Sequence, residues 1–285
     1  MNTIGFIGAG TTGTALAVQL TKAGYNVTAV ASRTRQSAEK LAARIDNCIV
    51  YDRPQEVADK TELVFITTPD DAIATVAAQV QWHEGQSVVH CSGAHSTDIL
   101  EPAAVSGAQT GCIHPLQTFA SADQAINNLP GSTFAIEAGR ELQKILQKIA
   151  VSLEGSFVVL TAEDKVRYHA AAVFACNYLV TLVELATNLW KGFEISQQHS
   201  VKSLMPLLRG TLSNIENIGL PDCLTGPIAR GDMGTINKHL EVLKKEKEPV
   251  LLQSYKLLGR QTVPIALAKG KINLTQAEEL YKLLQ

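Results

Sequence analysis

The chain of 285 residues has no excess of basic charge: 25 Lys and Arg face 27 Asp and Glu, for a net charge of -2. Without a cationic surplus to neutralise phosphates, a nucleic-acid partner is not expected. Cysteine is scarce and unpaired in pattern. Five residues (Cys48, Cys91, Cys112, Cys176 and Cys223) form an odd set without a CxxC motif. That excludes a disulfide framework and suits free thiols in a reducing cytoplasm. The opening MNTIGFIGAG lacks the charged start of a signal peptide, and glycines interrupt its apolar run. The apolar run near Ala170–Leu182 reads as too short, and too interrupted by Asn177 and Glu184, to span a bilayer. Neither a membrane nor a leader is therefore expected. A hydrophobic content of 46% supports a sizeable core.

The first half of the chain alternates short apolar runs with helical runs. Strands are expected at Thr3–Ile7, Val27–Ala31, Cys48–Tyr51, Leu63–Thr67, Ser87–His90, Gly111–Ile113, Thr133–Ile136 and Phe157–Val159. Helices should start near Thr12, Ser37, Asp70, Thr97 and Gly139. Such alternation implies an α/β fold with a mostly parallel sheet. Continuous apolar strands imply burial on both faces. Beyond Thr161 strand signals vanish, and Thr161–Trp190, Ser200–Ile218, Met233–Lys245, Pro249–Ala268 and Thr275–Leu284 read as helices. Thr161 with Asp164, and Thr275 with Glu278, have the spacing of helix-start capping boxes. Two domains are expected, at residues 1–160 and 161–285.

Gly8-x-Gly10-x-x-Gly13 follows the first strand and opens a helix whose first residues are Thr11 and Thr12. Glycines there permit a tight turn, approach of a pyrophosphate and close helix packing, while the helix N-terminus offers free amides. A dinucleotide site of the NAD type wants a carboxylate at the end of the second strand. This chain has Ser32-Arg33-Thr34-Arg35 instead. A guanidinium can hold a 2′-phosphate, so the cofactor read is NADP(H), with Thr68 and Pro69 at a neighbouring strand end. The plainer reading of Arg33 is an exposed loop arginine. The missing acid also argues against S-adenosylmethionine.

Other strand ends carry polar residues: His90-Cys91-Ser92-Gly93 and Cys112-Ile113-His114-Pro115. Ser92 and His114 are candidate substrate contacts; the alternative for His114 is a loop-fixing role. No zinc-like spacing is present, and no metal is expected. Lys165 and His169 lie four residues apart on one helix face, and Asn177 lies further along. Side by side, two cations disfavour each other's charge, which suits acid–base work; a solvated helix start is the plain alternative. In the helical half, LTGPIARGD (Leu224–Asp232) must be a loop, with Thr225 and Arg230 as candidate substrate contacts and an Arg–Asp surface pair as the alternative.

Together these motifs (GxGxxG, HCSGA, CIHPLQTF, DKVRYHAAAVFACNYL and LTGPIARGD) resemble the Rossmann-like proteins with a DUF2520 domain. The resemblance covers essentially the whole chain. It implies an architecture similar to ketopantoate reductase, pyrroline-5-carboxylate reductase and the β-hydroxyacid dehydrogenases. A helical domain of the 6-phosphogluconate dehydrogenase C-terminal type would then follow the Rossmann sheet. The β-hydroxyacid dehydrogenases carry a Lys followed four residues later by Asn on the first interdomain helix. Lys165 matches the Lys, and His169 stands where Asn would be. The proton donor is thus open between Lys165 and His169. The implied function is an NADPH-dependent reductase of a small carbonyl or imine compound, as a homodimer; the alternative is a non-catalytic NADP(H)-binding redox sensor or partner protein.

Overall fold

The computed structural model describes residues 3–285. Eight strands form one sheet: β1 (Thr3–Ile7), β2 (Asn26–Ala31), β3 (Ile49–Tyr51), β4 (Leu63–Ile66), β5 (Ser87–His90), β6 (Gln109–Leu116), β7 (Thr133–Ala138) and β8 (Ser156–Val159). Their order is β3-β2-β1-β4-β5-β6-β7-β8, parallel throughout except between β6 and β7. The helices of this part are α1 (Thr11–Lys22), α2 (Arg35–Ala42), α3 (Pro54–Ala58), α4 (Asp70–Gln79), α5 (Glu101–Val105), α6 (Ala122–Asn128), α7 (Arg140–Ser152) and α8 (Ala162–Ala175). After them come α9 (Asn177–Leu189), α10 (Gln197–Asn217), α11 (Met233–Leu243), α12 (Pro249–Ala268) and α13 (Leu274–Leu283).

Alternate side chains of each strand feed opposite faces of the sheet. Phe6, Val30 and Phe65 join Leu16 and Leu20 of α1 in one core cluster. Ile7, Val64 and Ile66 join Ile73 of α4 and Leu100 in the other. The Phe6 and Phe65 rings stack with centroids 5.1 Å apart. Both faces are covered, as continuous apolar strands require. From β1 the chain winds out to β3 and then returns to the other side of β1 as β4. That reversal opens a crevice beyond the carboxyl ends of β1 and β4.

The chain divides into two compact units, the first ending at Tyr178 and the second spanning Leu179–Gln285. The first unit extends past residue 160 because α8 belongs with the sheet. In the second unit α11, α12 and α13 pack around Ile236, Leu240, Val263 and Leu280.

Two local expectations need correction. The helix expected over Thr161–Trp190 is interrupted at Cys176, whose φ of -110° and ψ of -65° end α8 before α9 begins. No Gly or Pro marks this break. The last helix is capped two residues earlier than expected, by Asn273 rather than Thr275. Gln276 N donates to Asn273 Oδ1 at 2.9 Å, and Asn273 N donates to Gln276 Oε1 at 3.0 Å. An Asn–Gln pair satisfies both amides, and Asn is the stronger cap. At α8 the expected box forms through Asp164, whose Oδ2 accepts from the Thr161 amide at 3.1 Å and hydroxyl at 2.8 Å.

The apolar run is also longer than expected. Across the Cys176 break, Ala162–Phe193 is 32 residues with a window of mean hydropathy 1.6, enough by length and composition to cross a membrane. Only 6% of that window is buried. Its first turn is nevertheless committed to the sheet, through Lys165.

Candidate functional site

The turn between β1 and α1 is built for closeness. Gly8 has φ +113°, and a Cβ there would lie 2.7 Å from the Thr67 backbone. A Cβ on Gly13 would lie 2.4 Å from Thr67 Oγ1 and 2.6 Å from Gly8 O, so only glycine lets α1 approach β1 and β4. Thr67 Oγ1 ties the turn by donating to Gly8 O at 2.8 Å. Above Gly10 the space is open: a Cβ would meet nothing within 4 Å. The first turn of α1 has neither a side-chain cap nor an acidic residue, so its amides are available to an anion.

A cavity of about 530 Å³ lies on this turn, lined by Gly8, Gly10, Ser32, Arg33, Thr34, Thr68 and Pro69, with Asp52 also on its wall. Thr11, Thr12 and Gly13 form the first turn of α1 and do not line the cavity themselves. The Thr68 hydroxyl is buried without a hydrogen-bond partner among the described residues. Size, open amides, an arginine at the tip of β2 and an orphaned hydroxyl together fit a phosphorylated dinucleotide.

Further along the sheet, the carboxyl ends of β5 and β6 meet α8. Lys165 is 1% exposed. Its Nζ donates to Ser92 O at 3.0 Å and to Cys112 Sγ at 2.8 Å. The Cys112 thiol donates to Ser92 O at 3.3 Å. Burial pushes the Cys112 thiol up to about 11, against the opposing pull of Lys165, so it stays protonated at neutral pH. The Ser92 hydroxyl donates to Asp70 Oδ2 at 2.7 Å and accepts from the amides of Ala94 and His95. Its side chain is spent on shaping the loop, and its carbonyl holds Lys165.

Three histidines surround this point. His90 is fully buried; its Nδ1 accepts from Ser92 N at 3.1 Å and its Nε2 faces Ser96 O at 3.2 Å. One nitrogen accepts and the other donates, which defines a neutral ring. Burial, reinforced by Lys165, accordingly depresses its pKa to about 3. His114 is brought down to about 4, by burial first and then by Lys165 and His169. His114 Nδ1 lies 2.9 Å from the Tyr168 hydroxyl, and its ring stands edge-on to those of Tyr168 and His169, with centroids 5.6 and 6.0 Å away. His169 Nδ1 is buried without a hydrogen-bond partner among the described residues. A Cβ on Gly93 would come within 2.6 Å of that nitrogen and 2.9 Å of His114 Nε2. Gly93 therefore leaves room for both rings.

Lys165, His169, Ser92 and His114 are thus brought together within the first unit. Asn177 opens α9 and is exposed. Thr225 and Arg230 are exposed on a loop of the second unit. Lys269 pins that loop by donating to Asp222 O at 2.6 Å and Leu224 O at 2.8 Å. The Asp232 carboxylate is spent as the cap of α11, accepting from Thr235 N at 3.0 Å and Thr235 Oγ1 at 2.7 Å. Among the described residues no cluster suited to a metal is present. Sequence reasoning passed over Cys112 as a lysine partner, quoted Gly93 and Tyr168 only within motifs without giving them a role, and passed over Asp52. Tyr168 is the one of these with a signal, since it lies three residues after Lys165 on the same helix.

Fold and site define a Rossmann-type α/β protein with a helical region after the sheet. Residues 2–115 match the model of the Rossmann-like domain, and residues 132–262 match that of the domain of unknown function DUF2520. These two matches accord with the resemblance that the motifs carry. No curated protein matches it. Among solved structures it is similar to a Bacteroides fragilis protein assigned as an NADP oxidoreductase, at 27% identity over 92% of this chain and 98% of that one, with TM-score 0.74. It is also similar to a Thermotoga maritima protein, at 25% identity over 94% and 99% of the two chains, with TM-score 0.72. A reductive aminase of Aspergillus terreus, solved with NADPH and ethyl-5-oxohexanoate, shares the fold at 16% identity over 100% and 92%, with TM-score 0.62.

Proposed function

We propose that the chain is an NADPH-dependent reductase of a small carbonyl or imine compound. The observation that carries this reading is Lys165, a buried amine held by Ser92 O and Cys112 Sγ on the sheet that also bears the phosphate-ready cavity. Bound NADPH would supply a hydride. Gly8, Gly10 and the first amides of α1 would hold its pyrophosphate, and Arg33 with Ser32 and Thr34 its 2′-phosphate. Lys165 would deliver the proton to the substrate oxygen or nitrogen, its remaining N–H pointing the reacting atom. His169, with its unpartnered Nδ1, is the other donor candidate, and His114 would orient substrate. Asn177, Thr225 and Arg230 are proposed as substrate contacts. The similar NADP oxidoreductase and the reductive aminase support the reaction class; they do not name a substrate.

On the same reading residues 1–160 serve the cofactor and 161–285 serve substrate and self-association. Val166 and Phe174 in the first unit are 68% and 71% exposed, apolar side chains suited to a second copy of the chain. The five unpaired cysteines suit a cytoplasmic setting. The test is NADPH oxidation with a panel of keto acids, aldehydes and cyclic imines, beside an NADPH titration by fluorescence. Turnover of any member supports the reductase. Tight NADPH binding with no turnover across the panel favours the redox-sensor alternative.

A further inference from the structure

A carboxylate stands beside the place proposed for the 2′-phosphate, and its neutralisation has a visible source. Ala31 of β2 pairs with Tyr51 of β3, so Ser32 and Asp52 leave the sheet at the same level. Both line the cavity, together with Arg33 and Thr34. Asp52 follows β3 rather than β2, where the ribose-binding acid of an NAD site stands, but a carboxylate on the same wall could accept a ribose hydroxyl from a cofactor lacking the 2′-phosphate, and it would repel a phosphate dianion. Here the Arg35 guanidinium caps it: Nη1 bonds Asp52 Oδ1, while Nε donates to Glu39 Oε1 at 3.0 Å. Arg33 has no ion-pair partner among the described residues. The two arginines at the tip of β2 therefore differ in use. Arg33 is free for a ligand, and Arg35 is committed to two carboxylates.

We infer that the Arg35–Asp52 ion pair sets the preference for a 2′-phosphorylated cofactor, by masking a carboxylate that would otherwise favour the unphosphorylated one. This rests on the cofactor reading above and adds a residue to it: Arg35 acts on specificity through Asp52, without holding the phosphate. The pair is largely exposed, with side chains 59% and 71% accessible, so its influence should be modest and sensitive to salt.

NADPH and NADH titrations by fluorescence, with the wild-type chain, Arg35→Ala, Asp52→Asn and the double variant, test the inference. Arg35→Ala should weaken NADPH by roughly threefold to tenfold at low salt while NADH binds as well or better. Adding Asp52→Asn to Arg35→Ala should bring NADPH back to within about twofold of wild type, because the repelling charge is gone. Asp52→Asn alone should keep the NADPH preference. A double variant as weak for NADPH as Arg35→Ala overturns the inference, since Arg35 would then touch the phosphate itself. An NADPH preference untouched by Arg35→Ala also overturns it. A wild-type chain that binds NADH as tightly as NADPH overturns the cofactor reading beneath it, and the inference falls with it.

Discussion

At the scale of single residues, Lys165 is a buried amine with no carboxylate in contact among the described residues: a carbonyl and a thiol are its partners. Such a group is costly to keep and is found where it has work to do. Lys165→Met keeps the aliphatic stem and removes only the amine. On a confirmed substrate, turnover should fall on the order of 10²–10⁴-fold, the contribution of a positioned proton donor, with NADPH affinity nearly unchanged. Equal losses of binding and turnover would instead show that Lys165 supports the fold. The histidines give a second prediction. His90 and His114 have pKa values lowered to about 3 and about 4 in the folded chain, against an ordinary value of 6.5. Between those limits the unfolded chain binds more protons, so their contribution to stability is complete above pH 6.5 and declines as the pH falls toward 4. Thermal melting from pH 7.5 down to about 4.5 should show Tm falling, and His90→Gln should flatten the slope. The Lys–His pair was visible from its i,i+4 spacing alone. Its partners were not, because Ser92 and Cys112 lie 73 and 53 residues away from Lys165 along the chain. Only pairing of β5 with β6 puts them together.

At the scale of elements, all eight strands left a signal: β1, β4 and β5 are buried and written as apolar runs, while the exposed edge strand β8 was legible from its β-branched and aromatic residues, and β6 only over Gly111–Ile113. Short helices were harder: α3 and α6 hold 5 and 7 residues, too few for a helical period to register. The break at Cys176 left no mark, because neither Gly nor Pro makes it; Cys176 simply departs from helical φ. The glycine turn, in contrast, was read in full from spacing. Its cost can be tested at Gly13, where the packing of α1 on β4 leaves no room for a methyl. Gly13→Ala must push the helix N-terminus away from Thr67, whose hydroxyl holds Gly8 O. Tm should fall and NADPH should weaken together, as the amides of α1 move off the cavity. Gly10→Ala, placed where a Cβ meets nothing, should leave Tm within about 1 °C, since a methyl in open space adds no clash. Its NADPH affinity should still fall, because that space is where the pyrophosphate would lie. Loss of Tm in Gly10→Ala would mean the opening there is structural and unrelated to a ligand.

At the scale of the whole molecule, the change from strand to helix in the sequence and the change from one compact unit to the next do not coincide. The last strand ends at Val159, while the first unit runs to Tyr178. The difference is α8, a helix in pattern whose Lys165 fills a polar gap between the ends of β5 and β6. Two truncations separate these descriptions. A chain ending at Leu160 lacks Lys165, and leaves Ser92 O and the Cys112 thiol without the amine they surround. A chain ending at Tyr178 retains these contacts and the capping of α8 by Asp164. Both contain the glycine turn and the cavity wall, so both should bind NADPH if they fold. The longer chain should melt at the higher temperature and bind closer to wild type, even though it adds the exposed apolar side chains of Val166 and Phe174. Those side chains should also make it associate, seen as a mass above monomer in light scattering, and Phe174→Asp should return it toward monomer. Should the shorter chain prove the more stable and the tighter binder, α8 would be a passenger of the helical region, and the Lys165 contacts would carry no stabilising weight in the first unit.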